Sequence, residues 1–110
     1  MKARLIKKQT IEDYIEKNAQ SKISFKIWLT ILKHTDWNMP LDIIRTFMSA
    51  DILGRGSERV VFNIGGNKYR MICKYHFGVN KVHLFVKWIG THADYSKLCS
   101  INKQYDINAF

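Results

Sequence analysis

Acidic residues are scarce in this chain. Between Gly65 and Leu98 the single carboxylate is Asp94, against Lys68, Arg70, Lys74, Lys81, Lys87 and Lys97. Over all 110 residues, 18 Lys and Arg stand against 9 Asp and Glu, a formal net charge of +9. That balance argues against a cationic ligand and for a polyanionic partner: nucleic acid, an acidic protein or an anionic membrane. Cysteine is equally sparse. Cys73 and Cys99 have no metal-type spacing, which excludes a zinc module, and no export signal accompanies them, so reduced thiols in the cytoplasm are expected. No run approaches 18 apolar residues, which excludes a membrane-spanning helix. The basic N-terminus lacks a following apolar stretch, so no signal peptide is expected. No long helix sets a basic face against an apolar one, which weakens the membrane-surface reading. There is no internal repeat and no low-complexity tract.

What remains is an ordinary globular composition, 46% apolar, enough to bury a core without staples. The length fits one domain over 1–110, the last ten residues, "INKQYDINAF", forming a patternless tail. "RLIKKQ" (Arg4 to Gln9) reads as a short first strand. "TIEDYIEKN" reads as a helix, with Thr10 at the N-cap, early acids suiting the helix dipole, and Ile11, Tyr14 and Ile15 on one face. In a second helix, Ser24 to His34, the residues Phe25, Trp28, Leu29 and Leu32 recur at helical spacing. Ile27 and Ile31 widen its apolar surface, either because the helix is buried on several sides or because a second face meets a partner protein. Pro40 opens a short helix, "LDIIRTFM". "SADILGRGSE" reads as a loop.

The sheet is the most legible part. Val60, Phe62 and Ile64 alternate in Arg59 to Ile64. Tyr69, Met71, Cys73, Tyr75 and Phe77 share one face of Asn67 to Phe77, and Val82, Leu84, Val86 and Trp88 share one face of Lys81 to Ile89. Such alternation marks half-buried antiparallel strands. Parity then sets the register. Gly65-Gly66 as a two-residue primed turn places Ile64 opposite Asn67 and Val61 opposite Arg70. Val79-Asn80 as the next turn places Cys73 opposite Val86 and His76 opposite His83. The expected meander has an apolar face on the helices and a cationic one carrying Lys68, Arg70, Lys74 and Lys87 side by side.

Clustered cations repel one another unless an anion visits them, and a nucleic-acid backbone is the natural visitor. The glycine pair lacks the strand–glycine–helix order and the lysine of a phosphate loop, so it reads as a turn. None of the four histidines has zinc spacing. His76 and His83 face each other across strands, where a structural pair is favoured over a metal site. His92 differs, because "GTHADY" follows the last strand on the cationic side, close to Tyr95.

"VFNIGGNKYRMI" followed by "FVKWIGTHADYSKL" resembles the HigB group of RelE-like toxins, the mRNA interferases of type II toxin–antitoxin modules. "PLDIIRTFMSADIL" resembles that group's pre-sheet segment. The likeness covers roughly the C-terminal two thirds, up to Leu98. It departs at Met48, where relatives often have proline, and at Ser96, where an acid is common. The resemblance implies an α+β domain of order βααβββα, with an antiparallel sheet packed on N-terminal helices. It also implies ribosome-dependent cleavage of mRNA and neutralisation by a HigA-type helix-turn-helix antitoxin, with DNA met only through that antitoxin and the membrane not at all.

With that resemblance, the expected chemistry is metal-independent attack of an RNA 2′-OH on the adjacent phosphate, and no cofactor is expected. Arg70 is the candidate for the phosphorane, because a planar fork suits phosphate oxygens. His92 is the candidate acid or base. Lys68 and Tyr95 complete the catalytic set. Asn67, Lys74, Lys87, His83 and Lys97 are expected along the RNA. The rival is a RelE-like module without catalysis that only grips RNA or its antitoxin. A DNA-binding regulator would need a helix-turn-helix, and none is legible.

Overall fold

A computed structural model describes all 110 residues. Strand β1 (Lys2–Ile6) is followed by helix α1 (Gln9–Lys17), a single 3-10 turn (Ala19–Ser21), helix α2 (Lys22–Leu32) and helix α3 (Pro40–Thr46). Strands β2 (Asp51–Leu53), β3 (Arg59–Ile64), β4 (Tyr69–Phe77) and β5 (Lys81–Thr91) come next, and helix α4 (His92–Ser100) closes the series. The sheet order is β1-β5-β4-β3-β2. Strands β2 to β5 form an antiparallel meander, and β1 joins its edge in parallel with β5. The fold is α+β, as expected, with one short helix and one short strand more than the implied series.

Helices α1 to α3 cover one face. Phe25, Trp28 and Leu32 of α2 are buried there with Val60, Phe62, Met71, Cys73 and Leu84. An aromatic knot fixes the layer spacing: the Trp28, Phe47 and Phe62 rings lie 5.1–5.6 Å apart, centre to centre. Pro40 occupies the first turn of α3, where its missing N–H costs nothing, and Asp42 accepts from the backbone N–H groups of Asn38 (2.8 Å) and Met39 (3.2 Å). Helix α2 is not buried on several sides, since Ile23, Ile27 and Ile31 are exposed. Thr10 does not cap α1: the N-cap is Lys8, and Thr10 is buried inside the helix.

Three sheet expectations need correction. The Gly65-Gly66 turn does have both residues in the left-handed region, φ +65° and +66°, but the ladder closes two residues later. Ile64 pairs with Tyr69 and Asn63 with Arg70, so Asn67 and Lys68 belong to a four-residue loop. Parity survives, because two and four are both even. A Cβ on Gly65 would lie 2.8 Å from Ser24 Oγ, so the glycine also lets α2 approach the hairpin.

The second correction concerns Trp88. The β4–β5 register shifts between Ile72 and Cys73, which pair with Trp88 and Val86 and leave Lys87 as the extra residue of a bulge. Beyond it the parity reverses, so Ile89 enters the helix-side core and Trp88 turns to the outer face.

The third is the outer face itself. Lys68, Arg70, Lys74 and Lys87 do not stand side by side on an open surface. Ile72 lies between Arg70 and Lys74 along β4, and it packs with Leu53, Val61 and Leu98 in a second apolar cluster. Helix α4 and the chain end cover that cluster through Leu98, Tyr105 and Ile107. The chain end is therefore tied to the sheet through Gln104, Tyr105 and Ile107, while Ile101 and Phe110 stay exposed. Arg59, buried, donates to the carbonyls of Ile107 (2.7 Å) and Gln104 (3.4 Å). The Ala109 N–H donates to the Lys87 carbonyl at 2.8 Å.

Candidate active site at the Arg70 end of the sheet

At the end where β4 begins and β5 finishes, the exposed side chains of Asn67, Lys68 and His92 stand around a nearly buried Arg70. Arg70 lies opposite Gly90, and Tyr69 opposite Thr91. Thr91 ends the strand and starts α4, its Oγ1 accepting from the Asp94 N–H at 3.2 Å. This sharp strand-to-helix change brings His92, the first helical residue, over the β3–β4 loop. The His92 N–H donates to the Lys68 carbonyl at 3.1 Å, tying that loop to the helix. Tyr95 follows three positions on, the spacing that puts two side chains on one helix face.

Arg70 is held in place. Its guanidinium donates to Asn67 Oδ1 (3.3 Å) and to the Tyr69 carbonyl (3.2 Å), and the residue is 8% exposed. Those bonds use two of its five N–H groups, and the fork is pre-oriented for an oxyanion. Tyr95 is half-buried. Burial first, then the neighbouring Cys99 thiol and the Asp51 charge, push its phenol well above the ordinary value, and the Arg70 charge pulls the other way. Lys68, Asn67 and His92 are exposed around it.

The structure therefore brings together Asn67, Lys68, Arg70, His92 and Tyr95. It sets the other expected residues apart. Lys87, in the bulge, donates to Asn108 Oδ1 at 3.3 Å. Lys74 is exposed four residues along β4 from Arg70, about 13 Å at the usual strand rise. His83 pairs with His76, their rings 6.1 Å apart, and His76 is about 20 Å along the strand from Arg70. Lys97 is exposed near the far end of α4. No three His, Cys, Asp or Glu side chains converge to form a metal-binding group.

Two neighbours were not foreseen. Trp88 lies 6.0 Å from Tyr95, ring centre to ring centre. Its indole covers Gly90 so closely that a Cβ there would sit 2.5 Å away. Asp51, on the missed strand β2, contributes its charge. The signal for Trp88 was present: "KWIG" breaks the alternation with two adjacent apolar residues and then puts a glycine inside a strand.

A mixed sheet with helices on one face and a capping helix on the other, with a basic and aromatic cluster between helix and sheet, is compatible with a RelE-like domain. Comparison with known families agrees. HigB_toxin, the RelE-like toxic component of a toxin-antitoxin system, matches residues 21–98. The chain belongs to this family. It is also 31% identical over 94 residues to the mRNA interferase HigB of Escherichia coli O6:H1, covering 86% of this chain and 89% of the relative.

Proposed function

We propose that this toxin is a ribosome-dependent mRNA endoribonuclease working in the cytoplasm and neutralised by a HigA-type antitoxin. The observation that carries the reading is the convergence of Arg70, His92, Tyr95, Lys68 and Asn67 where the β3–β4 loop meets the start of α4. The family and the relative's name support the class of activity.

The reaction uses side chains alone. The 2′-oxygen attacks the adjacent phosphorus as its proton leaves, the P–O5′ bond breaks, and the 5′-oxygen takes up a proton. The products are a 2′,3′-cyclic phosphate, which water can then open to a 3′-phosphate, and a 5′-OH. Arg70, anchored by Asn67, stabilises the negative charge that builds on the phosphorane. Tyr95 donates to the phosphate or to the departing oxygen. His92, exposed at the helix start, exchanges the second proton. Lys68 holds a neighbouring phosphate. Lys74, Lys87, Lys97 and His83 contact RNA away from the cleaved bond.

Expression in a growing culture tests the reading. Growth arrest, with new 5′-OH ends in ribosome-bound messages, is expected from the wild type and not from Arg70→Ala. Arrest without new ends would instead favour a module that grips RNA without cutting it.

A further inference from the structure

The largest hollow of the molecule is not at Arg70. It measures about 500 Å³ and lies between β1 and α2. Its rim carries Lys2, Arg4, Lys8, Lys26, Lys33 and Lys81, with no carboxylate. Of these, Lys8 alone has an ion-pair partner, Glu12 at 4.0 Å. Its floor is apolar, formed by Ala3, Leu5, Leu29 and Leu32.

β1 is also an end strand. Its outward groups are partly used: the Ala3 N–H donates to Thr35 Oγ1 (2.9 Å), and the Met1 carbonyl accepts from the Trp37 N–H (2.7 Å). Leu5, two residues on, points the same way by strand alternation, and its N–H and carbonyl have no partner on that side. An open backbone edge beside an apolar floor and a cationic rim suits a polypeptide that adds as a strand, with apolar side chains inward and carboxylates outward. The cationic rim would also suit an RNA backbone, but the apolar floor and the free Leu5 edge favour a polypeptide. The wall of α2 continues into exposed Ile27 and Ile31, which line an adjoining hollow of about 290 Å³ with Lys26 and Thr30.

We propose that this groove docks an extended, acidic segment of the antitoxin, paired along β1 and gripped by Lys26 and Lys33. The proposal rests on the toxin–antitoxin reading for the existence of the partner and not on RNA cleavage. None of the residues placed at the active site lines the groove, so a segment docked there need not cover Arg70.

The test uses the full chain and the antitoxin encoded beside it. Hydrogen exchange is measured on the free chain and on the complex, and affinity is measured for Lys26→Glu/Lys33→Glu and for the milder Lys26→Ala/Lys33→Ala. The Leu5 amide is expected to slow at least tenfold in the complex. The charge reversal is expected to weaken antitoxin binding at least tenfold, the alanine pair less, while the toxin alone still arrests growth. An unprotected Leu5 with unchanged affinity overturns the proposal. So does a charge reversal that leaves the antitoxin bound and instead weakens binding of a ten-nucleotide RNA. A chain that cleaves no RNA yet protects Leu5 would sink the catalytic reading and leave this one standing.

Discussion

The two faces of the sheet are built on different terms. On the helix side, seventeen buried residues form one continuous apolar core, to which β3, β4 and β5 contribute by an alternation broken once, at the Lys87 bulge. On the outer side, four buried residues form a small cluster, one helix and the chain end cover it, and the exposed polar side chains of Asn67, Lys68 and His92 gather at one end. The difference teaches where a basic protein can place charge. The closed face stabilises the fold without using a cation. The outer face retains only enough apolar cover to hold Arg70 and Tyr95 rigid, and Gly90 makes room for the Trp88 ring beside them.

Core substitutions break this comparison most directly. Phe62→Ala, at the centre of the aromatic knot, should cost about 3–5 kcal/mol in chemical denaturation, and Ile72→Ala on the outer face about 2 kcal/mol, because a small cluster collapses more easily around a lost side chain. If Ile72→Ala proved the worse of the two, the outer cluster would be the true core.

Removing residues 104–110 comes next. The deletion strips Arg59 of both carbonyl acceptors and should cost about 1–3 kcal/mol, the usual cost of an unsatisfied buried polar group. Adding Arg59→Met to the shortened chain should recover part of the loss, because an apolar side chain of similar reach leaves no charge stranded. A shortened chain with an unchanged denaturation midpoint would mean that the chain end is not part of the structure.

How much of this was legible in sequence depends on how far each feature reached along the chain. The helix-side alternation of Val60, Phe62, Met71, Cys73 and Leu84 was readable because every contact repeats a local period. The pairs Cys73–Val86 and His76–His83 were readable because parity in a hairpin is counted outward from its turn. Alternation places Trp88 on the wrong face because a single bulged residue reverses parity, and the only trace of that bulge in sequence is the adjacent Trp88-Ile89 pair followed by Gly90. The packed chain end was not legible: Arg59 finds its partners 45 and 48 residues away, a pairing that no local pattern encodes. Arg70, His92 and Tyr95 were found through the family motif, and their meeting depends on the strand-to-helix change at Thr91. The wide cationic face failed for a visible reason, because Ile72 interrupted it in the sequence itself.

Thiol chemistry sharpens the contrast at a smaller scale. Cys73 is fully buried on the core face, and burial pushes its thiol far above the ordinary range. Cys99, on the outer layer, is partly exposed. A thiol reagent should therefore modify one cysteine in the native protein and the second only on unfolding. Two fast thiols would show that the core face opens as readily as the outer one.

The smallest effect concerns alkaline pH. Burial raises the phenols of Tyr14, Tyr75 and Tyr95 in the folded chain. A raised folded value means that the contribution is fully present below the unfolded value, about 10 for tyrosine, and is lost as the pH climbs from there through the folded value. Stability should decline above about pH 10, and Tyr95→Phe should flatten that decline. An identical alkaline limb in the variant would place Tyr95 in water.

The central claim is that cleavage belongs to the Arg70 end of the outer face. Its most direct test is the single-turnover rate on a ribosome-bound message for the wild type, Arg70→Ala and His83→Ala, each confirmed as folded by circular dichroism. Arg70→Ala should lose about 10²–10³ in rate, the typical cost of removing a group that stabilises transition-state charge, and His83→Ala, about 20 Å away along the strand, should lose far less. A folded Arg70→Ala protein that cuts at the wild-type rate would contradict the account.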